Sequence, residues 1–392
     1  DRPLATSSAP SVALQRAPSG VDRRFERRFG EQKTRALEEG GGSAQTEQAV
    51  QAGLRYLASK QDGRGFWGDA KFKHPKYAYT IYGKSGLALL AFLGTGHTQS
   101  SNTEFSPVVA RGIQFLVRAQ DAKTGHFGNC SSYGHAIATY ALGESYALTK
   151  DAALREPLQR ALDWIVENQN RETPGSTEFG GWTYYYPDER EFDPYARASI
   201  TSWQVMALES GRIGGFDVSP TVLSAARQFL EGCFDPNQGW FRYNHQPSRL
   251  RSMYPTLPGS TPASLFALRL LGTAVDHRLY EGAWSYTLER RPKAYKRPRE
   301  NDFVQDAAGN LYFWYYGTLA FFQRGGEQWD AWNGALKSVL LPAQAKDGSW
   351  RPIEPYAETA GDTEEDRIYT TAMCVLMLEV YYRYFTPLLS KR

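Results

Sequence analysis

Four acids, Asp362, Glu364, Glu365 and Asp366, stand directly before the nearly uninterrupted apolar run IYTTAMCVLMLEVYYRY near the C-terminal end. Crowded carboxyls beside an apolar hollow can hold a proton at neutral pH, because burial and like charge both disfavour ionisation. Such a group could protonate something held in the hollow that the helix lines. The same residues also fit a helix start, with Thr363 and Asp366 forming a cap of the capping-box kind and the other acids solvated. Asp193 occupies the corresponding place in EFDPYARASITSWQVMAL, flanked by Glu191 and Arg197, and is either a mouth acid or the partner of Arg197. Aromatic candidates for a hollow's wall are Tyr79, Tyr82, Tyr133, Tyr140, Trp203, Tyr312, Trp314, Tyr315, Tyr316 and Tyr369. On a helix the run YFWYYG must point several ways, so only part of it can face one cavity.

Other chemistries find little support. His126, Cys130 and His135 form the one Cys–His neighbourhood and could converge on a zinc ion, which needs three or four ligands, but no metal or cofactor is expected. The three cysteines show no paired spacing that would imply a disulfide framework. Nucleophile elbows, phosphate loops and dinucleotide fingerprints do not occur. A net charge of +3 is too weak to argue for nucleic acid. The basic stretches RRFERR (23–28) and RRPKAYKRPR (290–299) read as solvated surface, with an acidic partner as the alternative. No apolar run reaches the length of a membrane span. The sequence starts at Asp1, which fits either a leader already removed or trimming, and leaves the compartment open.

The elements that must position these residues recur. Each unit is an amphipathic helix, a Gln, a Gly-aromatic turn and a second, more apolar helix. AVQAGLRYLASKQDGRGFWGD precedes YTIYGKSGLALLAFLG, and WNGALKSVLLPAQAKDGSWRP precedes IYTTAMCVLMLEVYYRY. Six such pairs are legible, the fifth degraded and interrupted by the basic stretch. First helices carry one apolar stripe (Val50, Leu54, Leu57; Val109, Ile113, Leu116; Leu158, Leu162, Ile165), whereas second helices are apolar all round and must be buried. An inner ring of buried helices inside an outer amphipathic ring satisfies both patterns. The expected fold is therefore all-α, an (α/α)6 toroid. The domain division expected is an N-terminal extension at 1–43, loose over its first part and helical over 22–39, and one toroid domain at 44–392.

The turns carry a specific signature: Gln61 with Trp67, Gln120 with Phe127, Gln169 with Trp182, Gln344 with Trp350, and the variant Gln238-Gly239-Trp240. A Gly past a helix end can turn left-handed and satisfy orphan carbonyls, and a Gln amide can add bonds there. These units resemble the QW-type repeats of the terpenoid cyclase and protein prenyltransferase superfamily over roughly residues 44–386. The resemblance implies a toroid with a central cavity. It also implies acid-initiated cyclisation of a lipophilic polyisoprenoid with aromatic faces stabilising the cations. The family's Asp-x-Asp-Asp motif is nearest matched by Asp362-Thr363-Glu364-Glu365, which makes Glu364 the implied proton donor. Two Glu replace Asp, and Arg367 is near. The alternatives are a non-catalytic toroid that binds a ligand or protein partner, and a carbohydrate-active toroid using Trp and Tyr platforms.

Overall fold

The structure, a computed structural model, describes residues 23–70, 81–127, 132–171, 174–184, 194–245, 257–274, 276–354 and 364–383. A 3-10 turn at Arg23–Arg28 leads into α1 (Gly30–Glu39), and the Gly40–Gly42 break separates it from α2 (Ala44–Ser59), which Ser43 caps by a reciprocal pair of bonds with Thr46. The chain continues through α3 (Ile81–Gly94), α4 (Ser106–Ala119), α5 (Ser132–Thr149), α6 (Arg155–Glu167), α7 (Ala198–Gly214) and α8 (Pro220–Gly232). A small hairpin, β1 (Phe234–Asp235) with β2 (Trp240–Phe241), precedes α9 (Ser260–Leu270). Then come α10 (Glu281–Glu289), α11 (Glu300–Asp306), α12 (Leu311–Arg324), α13 (Gly326–Leu340), α14 (Glu364–Leu378) and α15 (Val380–Arg383).

The six greasier helices pack in a closed circuit, α3 on α5, α5 on α7, α7 on α9, α9 on α12, α12 on α14, and α14 back on α3. Every residue of α3 from Gly83 to Gly94 is buried. The outer helices α2, α4, α6, α8, α10 and α13 lie around this circuit, and the apolar stripes read from the sequence are their buried faces. The architecture is thus the expected toroid of six helix pairs.

The turns show why Gln recurs. Each Gln amide donates twice: to the carbonyl of its own turn glycine and to a carbonyl in the first turns of the next outer helix. Gln61 Nε2 reaches Gly65 O at 3.0 Å and Val108 O at 2.8 Å. Gln120 reaches Gly125 and Pro157, and Gln169 reaches Gly180 and Val222. Gln344 bonds Gly348 O at 2.9 Å and Ala49 O at 2.8 Å, joining the last turn to the first outer helix. The indole N–H groups of Trp67, Trp182 and Trp350 donate to Leu57, Ile165 and Leu340, near the ends of the preceding helices. Gly65 sits at φ +101°, and a Cβ there would run into the carbonyl of Arg111 on the neighbouring helix, so glycine is required twice over.

The fourth turn departs from the expectation. Gln238 is exposed, and the hairpin replaces the clamp. The ring residue is Phe241, not Trp240: its backbone N–H bonds Thr261 on the following inner helix, as Trp67, Trp182 and Trp350 bond Ser85, Thr201 and Thr371. Trp240 instead packs on Tyr286.

The stretch 23–28 also corrects the sequence reading. It is not a solvated basic patch. Arg28 is 1% exposed and lies across the end of the ring where the inner helices finish. It donates to Glu144 at 2.9 Å and to Leu93 O at 3.0 Å, and Arg383 donates to Glu144 and to Glu379. Glu144 is desolvated, but the two guanidinium groups outweigh burial and hold it down to about 2. Burial wins at Glu379, pushed up to about 8 against the pull of Arg383. The N-terminal segment thus forms a floor. The basic stretch at 290–299 is mostly exposed, as read, with Pro292 and Tyr295 turned inward.

Candidate functional site at the open end of the inner ring

The inner helices begin at the end opposite the floor. On α7, Thr201 faces its turn, so Ser199, Trp203 and Met206 fall on the opposite, ring-facing side. The same phasing turns Tyr133 and Tyr140 inward on α5, Tyr312 and Tyr316 on α12, and Asp366 and Tyr369 on α14. Helices α7 and α12 are separated by α9, yet their side chains meet. Tyr312 donates to Ser199 O at 3.2 Å, Tyr316 to Met206 Sδ at 3.4 Å, and Trp203 stacks on Tyr315 at 5.6 Å and 11°. Gly259, at the head of α9, makes room: a Cβ there would lie 2.7 Å from the Tyr312 ring.

Around the head of α7 the phenols form a network. Tyr133 donates to Ser199 Oγ at 2.6 Å, and the hydroxyls of Tyr184 and Tyr243 bond each other. Arg197, 3% exposed, lies against the rings of Tyr184, Tyr195 and Tyr243 and donates to Tyr195 O. Burial pushes the Tyr184 and Tyr312 phenols well up, so they stay protonated.

The acid that geometry brings forward is one the sequence reading missed. Glu354 accepts from the N–H groups of Leu311 at 2.7 Å and Tyr312 at 3.3 Å, at the start of α12. Burial pushes its carboxyl up to about 7, those two N–H groups pull the other way, and the nearby charge of Asp366 adds to the rise. It therefore holds a proton over part of the neutral range. Tyr295 stands near it, donating to Arg351 O at 2.7 Å. Glu354, Tyr184, Tyr295 and Tyr312 are all desolvated enough to shift, yet all remain partly exposed. They form one cluster between the heads of α7 and α12. Tyr312 joins its two halves, its N–H on Glu354 and its hydroxyl on the α7 network.

The sequence candidates distribute as follows. Tyr133 and Tyr312 belong to this cluster, Trp203 and Tyr315 stack on each other beside it at only 2% and 0% exposed, and Tyr369 is buried on α14. Trp314 points away from the ring centre and packs on Tyr295. Asp366 is buried near Glu354. Glu364 and Glu365 open α14, but their side chains, like Asp362, Asp193 and Tyr79, lie outside the described residues. Cys130 does too. His135 bonds Ala161 O, and burial drives it to about 3. Among the described residues no group of three His, Cys, Asp or Glu could hold a metal ion. No helix among them is long and apolar enough to cross a membrane. Glu354 left a faint signal, a lone acid in the otherwise apolar IEP just upstream of the acidic cluster. Tyr295 left another, an aromatic inside a basic run.

No family model matches the sequence, and no curated protein does. Solved structures match its fold. The type II terpene cyclase MstE from Scytonema, in its apo form, superposes with a TM-score of 0.57 at 16% identity, covering 86% of this chain and 98% of that one. An MstE variant in complex with geranylgeranyl dihydroxybenzoate, its substrate, gives 0.58 at 16% identity, with 86% and 97% covered. An inactive variant of the α-1,6-mannanase GH76A of Salegentibacter sp. HEL1_6, in complex with α-1,6-mannotriose, gives 0.55 at 12% identity, with 86% and 99% covered. The chain has the α/α toroid fold of these proteins, and at such identities the likeness is one of fold.

Proposed function

We propose that the protein is a terpene-cyclase-like enzyme that protonates an alkene or epoxide of a lipophilic isoprenoid in the recess at the open end of the ring. The observation that carries this reading is Glu354: a carboxyl on the first N–H groups of α12, pushed up to about 7 by burial, beside Asp366 and the aromatic cluster that Tyr312 joins. A general acid works best when its pKa lies near the working pH. Tyr133 and Tyr312, both partly exposed, offer π-faces that stabilise a cation without attacking it. Glu364, the donor implied by sequence resemblance, remains a second candidate. The MstE likeness supports the reading at the level of fold, and so does the mannanase for a sugar-acting enzyme. A sugar platform needs an exposed ring; Trp67, Trp182, Trp203, Trp314, Trp332 and Trp350 are nearly or fully buried, which leaves Trp164, Trp240 and the partly exposed tyrosines Tyr133, Tyr184 and Tyr312 for such a role.

A second reading, a toroid that binds a lipophilic ligand without transforming it, draws support from the crossing of α7 and α12 side chains, which fills that side of the ring. Incubation with polyprenyl alcohols, epoxides and hydrocarbons separates the two. The expected result is cyclised product from wild type that declines as pH rises through about 7, and little or none from Glu354→Gln. Binding without product would favour the second reading. Equal turnover by the variant would remove Glu354 as the acid.

A further inference from the structure

The fifth unit is the one whose outer and inner helices are joined by a long insertion instead of a clamped turn. Because α10 ends and α12 begins at the open end of the ring, the insertion lies there too, near Glu354. Over 290–299 it carries Arg290, Arg291, Lys293, Lys296, Arg297 and Arg299 and no acid. The flanking Glu289 stands 3.8 Å from Arg290. The backbone is held at several points. Arg290 donates to Gln305 O and Tyr286 O, and Pro292 is buried. Tyr295 packs on Trp314 and donates to Arg351 O. Lys296 O and Pro298 lie against Gly309, where a Cβ would meet them at 3.0 and 2.8 Å. Between these points Arg291, Lys293, Lys296, Arg297 and Arg299 are exposed.

Elsewhere on the surface arginines answer acids: Arg27 meets Glu39, Arg64 meets Asp62, Arg160 meets Glu156, Arg227 meets Glu231 and Arg324 meets Glu281. Lys293, Lys296 and Arg299 make no ion pair among the described residues. A loose loop would let such charges spread apart, but here the pinned backbone holds them together. We propose that the 290–299 segment is a docking surface for an anionic lipid bilayer. The chain's net charge is only +3, so the attraction is local and directed, not a general affinity for polyanions. The segment's one aromatic, Tyr295, is turned onto Trp314, which leaves no ring on which a nucleic-acid base could stack. A protein interface draws its strength from apolar anchors, and the one exposed large apolar side chain among the described residues, Leu279, stands before α10, at the floor end. A bilayer also holds isoprenoids, so a ring docked by its open end would receive one without passing it through water. That last point rests on the reading of Glu354 as the acid; the docking itself does not.

Sedimentation of the whole chain with vesicles tests this, using phosphatidylcholine alone and phosphatidylcholine mixed with phosphatidylglycerol. Adsorption should require the phosphatidylglycerol and should fall steeply as salt rises from about 0.1 to about 1 M. Each cation near an anionic surface contributes roughly a fivefold factor, so Lys293→Gln, Lys296→Gln and Arg299→Gln together should weaken adsorption about a hundredfold. The same loss of charge at the floor end, through Arg27→Gln, Arg35→Gln and Arg278→Gln, should leave it within about twofold of wild type. The segment's three cations hold no acid within the described chain, so this variant should fold as wild type does, which circular dichroism checks. Equal adsorption to both kinds of vesicle, equal loss in the two triple variants, or binding to polyglutamate or RNA but to neither vesicle would overturn the proposal. Adsorption that follows the segment while no isoprenoid turns over would sink the enzyme reading and leave the docking surface standing. Turnover of dispersed isoprenoid without adsorption would do the reverse.

Discussion

Replacing Glu354 by Gln tests the protonation state at the centre of the site without a substrate. The amide oxygen can still accept from Leu311 and Tyr312. It cannot ionise. The folded carboxyl titrates at about 7 against an ordinary 4.5. A raised value means that the folded state holds the proton more tightly than the unfolded chain does. The associated stability is fully present below pH 4.5 and is lost as pH rises through about 7. At 1.36 kcal/mol per tenfold, the loss amounts to at most about 3 kcal/mol. Glu144 and Glu379 titrate alike in both proteins and cancel in the comparison. Urea midpoints followed by circular dichroism at pH 4, 6 and 8 should therefore show the variant gaining on wild type, by up to about 3 kcal/mol between the two extremes. If the variant instead falls behind wild type toward pH 8, the carboxylate is an ordinary charged cap on α12, and the acid role fails with it.

Gln169→Ala should cost about 2–3 kcal/mol in the same assay, since two carbonyls lose a donor. Gln238→Ala, at the turn where the hairpin replaces the clamp, should stay within about 0.5 kcal/mol of wild type; similar costs at both sites would refute the clamp. Arg28→Met leaves Glu144 short of a partner inside the floor and should cost about 3–5 kcal/mol, against less than about 1 kcal/mol for Arg27→Met at its exposed pair with Glu39. Because Glu144 is held down to about 2, wild type should lose stability as pH falls from 4.5 toward 2, and Glu144→Gln should lose less over that window in acid-unfolding curves.

The toroid was legible because its signals repeat. One stripe such as Val50, Leu54 and Leu57 is weak, but the same stripe beside an all-round apolar partner, six times, admits few arrangements. The Gln-Gly-aromatic turns were readable for the same reason, though nothing local told Phe241 from Trp240; the hairpin decides that by register. Glu354 was not legible. Its raised pKa comes first from burial, which a sequence does not display, with Asp366 adding to it and the α12 N–H groups opposing it. Arg28 misled because RRFERR is basic by composition. Its burial follows from Glu144, 116 residues away, and from Leu93. Local composition cannot report a partner supplied by another helix.

The bond from Gln344 to Ala49 is the same bond that joins every clamped turn to its successor. Seen from inside the hoop, the passage from the sixth pair to the first is just one more step, although no peptide crosses it there. Chain order and spatial order have therefore come apart.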